Sequence, residues 1–280
     1  MAGIRVVTDS ACDLPQSMVD EHGIEIVPLT IRFGGNEFVD RRDLSPKEFW
    51  ARSKDAPVLP ETAAPSPGAF EEVYRRAGAD GCDGVVCVTL SSALSATYEA
   101  AQVAARAVKD DVPVKVVDSK AVTMAQGMIA VAAAQMAAQG KGIEDVAGAA
   151  EDIVPRTRIY ATLDTVENLK KGGRIGGAQA FIGSLLSIKP VIHLNDGVVE
   201  PESRQRTRSK SLRYLVEKLK EHGKVENLAL MHGDAPDVDE FLDLLSAVYP
   251  RDEIIVGDIG AVIGTHGGPR VMGVTFQVAR

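Results

Sequence analysis

The sequence predicts an α/β protein with an N-terminal α/β/α domain on a parallel sheet and a C-terminal α+β domain with a mixed or antiparallel sheet. Three observations support this. Short apolar runs alternate with helix-forming segments through the first half, and Asn195-Asp196-Gly197 marks a hairpin in the second. The length of 280 residues is large for one hydrophobic core. We therefore expect two domains, residues 1–155 and 156–280.

The first half is predicted to form parallel β-α units. Four apolar runs rich in β-branched residues indicate strands at residues 4–7, 24–31, 85–88 and 114–117. Helix-forming segments lie at residues 15–21, 46–52, 67–77, 97–108 and 143–154. The Ala- and Met-rich stretch 121–138 contains Gln126 and Gln135, which favours a packed helix over a membrane span. In such sheets, ligands collect beyond the carboxyl ends of the strands.

The second half has a different pattern, which begins after a predicted linker at Pro155. Strands are predicted at residues 158–163, 191–194, 198–199, 228–231, 254–256 and 274–278, and helices at 207–221 and 238–248. The hairpin and the strand spacing favour a mixed or antiparallel sheet.

Charge and cysteine content exclude several classes of protein. The net charge of -8 argues against a nucleic-acid-binding surface. Residues 151–220 nevertheless carry 13 Lys and Arg against 8 Asp and Glu, a local excess that suits an anionic ligand or an acidic partner; a solvated face is the alternative. Three cysteines without metal spacing, and a start without the apolar core of a signal peptide, predict a cytoplasmic protein.

The turn at residues 89–98 is the most informative segment. It carries five hydroxyl side chains between a buried strand and a helix: Thr89, Ser91, Ser92, Ser95 and Thr97. The first N–H groups of a helix favour an anion, so this turn is a candidate site for a carboxylate or phosphate. Simple N-capping is the alternative, although one hydroxyl is enough for a cap.

Three other segments have unusual composition. Residues 60–68 form a proline-rich loop, for which a rigid spacer is the simplest interpretation. Residues 170–177 include two lysines and Gly172, which suit a helix end, and further glycines around Arg174, which indicate close backbone approach or a mobile loop. Residues 264–269 place His266 in a predicted Gly-rich turn, with a surface turn as the alternative. The sequence has no phosphate loop, dinucleotide fingerprint, zinc-protease motif or nucleophile elbow.

In order along the chain, these motifs resemble the DegV family of bacterial fatty-acid-binding proteins. The matching segments cover nearly the whole chain: residues 7–10, 13–14, 27–29, Thr62 with Pro65, 90–98, 117–119, 172–175, 189–190, 206–207 and His266. The resemblance implies that the two domains enclose one long-chain acyl ligand, such as palmitate or oleate. It implies no cofactor, no metal and no catalytic residue.

The resemblance also assigns roles to single residues. It implies that Thr62 and Ser95 bind the fatty-acid carboxylate with His266 nearby, and that Arg174 and Arg206 lie around the head group or on a partner surface. Departures from the family pattern are the alanines where the family commonly has polar residues or glycine, and an arginine where it usually has a small residue: Ala63, Ala64, Ala93, Ala96 and Arg270. These positions bear on head-group hydration and chain-length preference.

Three functions are compatible with these features. The leading hypothesis is a soluble acyl carrier that sequesters one fatty acid in a tunnel and presents its carboxylate to a separate fatty acid kinase. The apolar run 178–188 is a candidate tunnel wall, or ordinary core. The alternative is an enzyme acting on a small phosphorylated or carboxylated substrate, with the hydroxyl turn as an oxyanion site and His266 or Asp118 as base. A third reading takes the basic segment as a protein-docking surface. No nucleic acid and no membrane segment are expected.

Overall fold

The computed structural model describes residues 3–182 and 188–280. The strands in this part of the chain are β1 (Ile4–Asp9), β2 (Glu25–Val27), β3 (Thr30–Phe33), β4 (Asn36–Val39), β5 (Glu61–Ala63), β6 (Gly84–Thr89), β7 (Val114–Asp118), β8 (Thr157–Thr162), β9 (Lys189–Asn195), β10 (Val198–Gln205), β11 (Val225–His232), β12 (Ile255–Asp258) and β13 (Met272–Val278). The α-helices are α1 (Gln16–His22), α2 (Pro46–Asp55), α3 (Pro67–Ala79), α4 (Thr97–Ala107), α5 (Thr123–Ala138), α6 (Ile143–Ile153), α7 (Glu167–Lys171), α8 (Arg208–Glu221), α9 (Val238–Ser246) and α10 (Ala261–Gly267).

The N-terminal sheet is parallel, with strand order β2-β1-β6-β7, as predicted. Every residue of β6 is buried, which explains its continuous apolar run. Alternate side chains of β6 enter different cores: Val85 and Cys87 pack with α3 and α4, whereas Val86 and Val88 pack with α5 and α6. Helices therefore cover both faces of this sheet.

The C-terminal sheet has the order β10-β9-β8-β13-β11-β12. Its pairs are antiparallel except for β11 and β12, so the predicted mixed sheet is confirmed. The predicted hairpin joins β9 and β10, and Asp196 and Gly197 at its tip have φ of 48° and 81°. Helices α8 and α9 cover the outer face of this sheet.

Helix α5 lies between the two sheets, as its apolar composition requires. Its first nine residues are all buried, and it contacts β1 and β6 on one side and β8, β11 and β13 on the other. The largest buried cluster consequently contains residues of both halves, such as Val86 and Ala229. All strands of the six-stranded sheet follow residue 156, while a domain boundary at residue 155 remains a prediction. No helix in the described ranges is long and apolar enough to cross a membrane.

The single strand predicted for residues 24–31 is wrong. The segment forms β2 in the parallel sheet and β3 in a separate antiparallel sheet of order β4-β3-β5. The break follows Pro28, and the next amide, that of Leu29, donates to the hydroxyl of Ser10 at 3.0 Å. Strands β4 and β5 have three or four residues each and mixed polarity, so they give no periodic signal. Thr62, predicted to lie in a spacer loop, is on β5 opposite Ile31.

The predicted Gly-rich turn at residues 264–269 is also wrong in part, because His266 lies in the last turn of α10. Gly264 serves close helix packing: a Cβ there would lie 2.7 Å from both Phe49 and Trp50 of α2. The indole N–H of Trp50 donates to the carbonyl of Ile259 at 3.0 Å and fixes this contact. The glycine is thus explained by packing between helices that are distant in sequence.

Candidate functional site

A deep apolar cavity lies between the inner face of the six-stranded sheet and the N-terminal half. The apolar lining residues come from both halves and include Leu29, Leu90, Leu94, Val122, Ile159, Ala161, Leu163, Leu169, Ile192, Leu194, Val199, Met231, Ile259, Val262, Ile263 and Val271. Its few polar side chains include Thr62, Ser95, Arg174 and His266. A concave site of this kind, apolar with a small number of polar groups, is typical of small-molecule binding.

The cavity contains about 920 Å³ of empty space between its lining atoms, including the open mouth. Because most of the lining side chains are apolar, the space suits a hydrocarbon group better than a polar ligand.

One end of the cavity is polar, and its residues come from four separate elements. Thr62 on β5 and His266 on α10 lie 204 positions apart, yet the Thr62 hydroxyl and His266 Nε2 are 2.9 Å apart. Ser95, from the hydroxyl turn, lines the same cavity, as does Arg174 after α7. Four of the five residues predicted around the head group thus line one cavity, and the exception is Arg206.

Burial determines the protonation state of His266. Removal from water lowers the pKa of its imidazole to about 4, and the positive charge of Arg174 contributes to this shift. At neutral pH the ring is uncharged, so one ring nitrogen carries hydrogen and the other does not. Nδ1 has no hydrogen-bond partner in the described structure and lies against Gly172. If Nδ1 is the bare nitrogen, Nε2–H donates to Thr62, and the Thr62 hydroxyl is free to donate to a ligand carboxylate.

Arg174 is held at the edge of the cavity by backbone contacts. Its Nε donates to the carbonyl of Leu94 at 3.0 Å, and its Nη1 donates to the carbonyl of Gly172 at 2.7 Å. These bonds tie the segment after α7 to the hydroxyl turn. They also keep a positive charge near Ser95 and His266, where an anionic head group would lie.

A polar surface cleft adjoins this end of the cavity. It shares Thr62, Arg174 and His266 with the cavity, and Glu61 and Lys171 also line it. From the sequence, Lys171 is expected only to stabilise the end of α7. Its place in the cleft was not predicted, because a lysine at a helix end gives the same sequence pattern whether or not it also lines a cleft. The polar end of the cavity thus adjoins a cleft at the protein surface.

Three other hydroxyls of the turn, those of Ser91, Ser92 and Thr97, form hydrogen bonds within the protein. Ser91 donates to the carbonyl of Gly197 at 2.8 Å and so joins the β9-β10 hairpin to the N-terminal half. Ser92 donates to Asp118 at 2.5 Å, and Thr97 lies 2.8 Å from the Ser95 hydroxyl. Of the five, Ser95 alone lines the cavity in the described structure. The high hydroxyl content therefore reflects loop structure more than ligand binding.

Two predicted site residues, Arg206 and Asp118, are not brought to the cavity. Arg206 is exposed between β10 and α8 and is absent from the lining of both the cavity and the cleft in the described residues. Residues 183–187 of the candidate wall 178–188 lie outside the described residues. Asp118, the alternative base, also lies outside the cavity and accepts a hydrogen bond from the amide of Ser92.

Sequence and structure comparisons identify the family. The family model described as "Uncharacterised protein, DegV family" matches residues 3–279. The chain belongs to the DegV family. A DegV domain-containing protein of Streptomyces coelicolor is 39% identical over 279 residues and covers 98% of each chain. Protein DegV of Bacillus subtilis is 34% identical over 278 residues, again with 98% of each chain covered.

Solved DegV structures share the whole fold. A DegV family protein from Thermus thermophilus, described as binding fatty acid, matches with a TM-score of 0.90 and 32% identity over 99% of this chain and 100% of its own. Bacillus subtilis DegV, described as a fatty acid binding protein, matches with a TM-score of 0.89 and 32% identity over all of both chains. A stearic acid-binding protein from Eubacterium ventriosum matches with a TM-score of 0.88 and 28% identity over 99% and 98% of the two chains.

Proposed function

We propose that this DegV protein binds one long-chain fatty acid, with its hydrocarbon chain in the apolar cavity and its carboxylate between Ser95, Thr62 and Arg174. The observation that carries the proposal is an apolar cavity whose polar end contains the hydrogen-bonded pair Thr62 and His266. The fatty-acid ligands of the Thermus, Bacillus and Eubacterium relatives support it.

The apolar chain provides most of the binding free energy in this proposal. Burial of about 15 methylene groups at roughly 0.8 kcal/mol each contributes on the order of 12 kcal/mol. A hydrogen bond to a charged group contributes about 1.5–3 kcal/mol, so the polar end chiefly sets the orientation. Association and chain ordering oppose binding by several kcal/mol, which makes a preformed cavity important.

The first experiment identifies the ligand and tests the head-group site. Organic extraction of the purified protein followed by mass spectrometry should detect a stoichiometric long-chain fatty acid. Ser95→Ala should lower the affinity for palmitate by about 1–3 kcal/mol, because a hydrogen-bond donor to the carboxylate is lost. Ser92→Ala is the matched control, since Ser92 is in the same turn but its hydroxyl donates to Asp118. Absence of lipid would contradict fatty-acid binding. Equal palmitate affinities of the two variants would contradict the role of Ser95 in binding the carboxylate.

We further propose that the bound carboxylate is presented to a separate fatty acid kinase in the cytoplasm, and that the protein itself acts as a carrier. The polar cleft supports this, because it reaches the head-group end from solvent and carries Lys171 and Arg174 next to it. Positive side chains at this position suit the charge on a transferring phosphoryl group. Exposed Arg206 is proposed as part of the surface that the kinase contacts.

Charge reversal tests the docking role of Arg206. Arg206→Glu should reduce acyl-phosphate formation by a bacterial fatty acid kinase with Mg-ATP several-fold, while palmitate affinity stays unchanged. Arg106→Glu is the control, because Arg106 is also exposed and lines neither the cavity nor the cleft. Unchanged acyl-phosphate formation by Arg206→Glu would exclude Arg206 from the docking surface.

A further inference from the structure

The floor of the cavity is the inner face of the six-stranded sheet. On β13, Met272, Val274 and Phe276 pack into the outer core beneath α8 and α9. Successive strand residues point to opposite faces, so Gly273 and Thr275 face the cavity, and both line it. Gly273 has no side chain and its partner on β8, Ala161, has only a methyl group, so this pair gives the floor of the cavity its depth.

Thr275 is the exception on this floor, because its hydroxyl is polar and has no partner. The residue is only 2% exposed, and its Oγ1 has no hydrogen bond within the described ranges. Its cross-strand neighbours are Ile159 on β8 and Ala229 on β11, whose side chains cannot form hydrogen bonds. A buried hydroxyl without a partner is unfavourable relative to an isosteric apolar group, so this position is suited to a ligand that supplies the partner.

Thr275 lies away from the polar end of the cavity. Val271 lines the cavity next to α10, which carries His266, and β13 runs from there to Thr275. Four residues of strand span about 13 Å. The Thr275 hydroxyl therefore lies beside the acyl chain at a distance from the carboxylate, where an unsubstituted hydrocarbon offers no hydrogen-bonding group.

Gln277 follows Thr275 on the same face of β13. It is buried and its Nε2 also lacks a partner in the described structure, but it does not line the cavity. Of these two side chains, Thr275 is therefore the one that can meet a ligand in the cavity, and a hydroxyl fixed on an acyl chain is placed there by the rest of the ligand.

We propose, on the basis of the fatty-acid-binding function above, that the cavity recognises an acyl chain carrying a hydroxyl group remote from its carboxylate. Thr275 is the specificity residue, since its hydroxyl can either donate a hydrogen bond to the ligand hydroxyl or accept one from it. The ligand class is a hydroxy fatty acid, and the position of its hydroxyl is set by the distance between the head-group site and Thr275.

The test compares the affinities of stearate and a positional series of hydroxystearates in a displacement assay. Thr275→Val keeps the shape of the side chain and removes the hydroxyl. Thr162→Val is the matched control: Thr162 on β8 is also buried with an unpartnered hydroxyl in the described structure, but it pairs with Met272 and Val191 on the outer face. Thermal unfolding of each variant confirms that it is folded.

We expect one hydroxystearate isomer to bind wild-type protein about ten-fold more tightly than its neighbours in the series, a preference equal to about 1.4 kcal/mol. Thr275→Val should abolish this preference and bind stearate at least as well as wild type, and Thr162→Val should retain it. Stearate binding without any isomer preference, or a preference that survives in Thr275→Val, would refute the role of Thr275. Failure of wild type to bind any of these acids would refute the fatty-acid-binding function as well. If Thr275→Val does not fold, the wild-type isomer series decides alone.

Discussion

Ala161→Leu is expected to weaken stearate binding by about 50-fold. Ala161 lies on the cavity floor, pairs with Gly273 and Ile192, and is half-buried because its methyl group faces the empty space. Leucine adds three carbon atoms to this space and displaces about three methylene groups of the ligand. At roughly 0.8 kcal/mol each, the lost burial amounts to about 2–3 kcal/mol. The measurement is a dissociation constant for stearate by fluorescent-lipid displacement.

Ala51→Leu is the control for Ala161→Leu, since Ala51 lies on the exposed side of α2. Shorter saturated acids should lose less affinity in Ala161→Leu than stearate does, because they need less of the cavity. If both variants bind stearate as wild type does, the acyl chain does not lie on this part of the sheet.

Gly172→Ala is expected to weaken carboxylate binding by at least ten-fold, even though Gly172 contacts no ligand in our proposal. A Cβ at this position would lie 2.3 Å from Nδ1 of His266. Gly172 has φ of -75°, which alanine adopts without strain, so the effect is a steric one on the imidazole. Displacement of the ring breaks the contact with Thr62 and disorders the head-group site. We also expect a stability loss of about 1–3 kcal/mol, as for overpacked cores.

Two comparisons isolate the cause in Gly172→Ala. Gly148→Ala on α6 adds the same methyl group where no atom lies within 4 Å, so it should leave palmitate affinity unchanged. In a His266→Ala background, Gly172→Ala should have little further effect, because the ring it displaces is gone. Additive losses in the double variant would show that Gly172 acts by a route other than His266.

The burial of single helices and strands could be predicted from the sequence. The continuous apolar run of β6 indicated a strand buried on both faces, and the apolar composition of α5 indicated a packed helix. Strand β5 could not be predicted, because three residues next to prolines are too few to show an alternation of apolar and polar side chains. Helix α10 was not predicted, because Gly264 in its middle suggested a turn. The reason for a glycine there is its close contact with α2, which the sequence does not show.

The sequence by itself determined the alternation of strands and helices and the packed helix α5. Through motifs shared with the DegV family, it also predicted that Thr62, Ser95, Arg174 and His266 belong to the head-group site. Only the tertiary structure decided that Ser95 faces the cavity while Ser91 and Ser92 hold the turn, and that Arg206 lies outside it. Local periodicity reports which side of one element is buried. A cavity is the space left between two packed surfaces, so its shape depends on contacts such as that between Thr62 and His266, 204 positions apart.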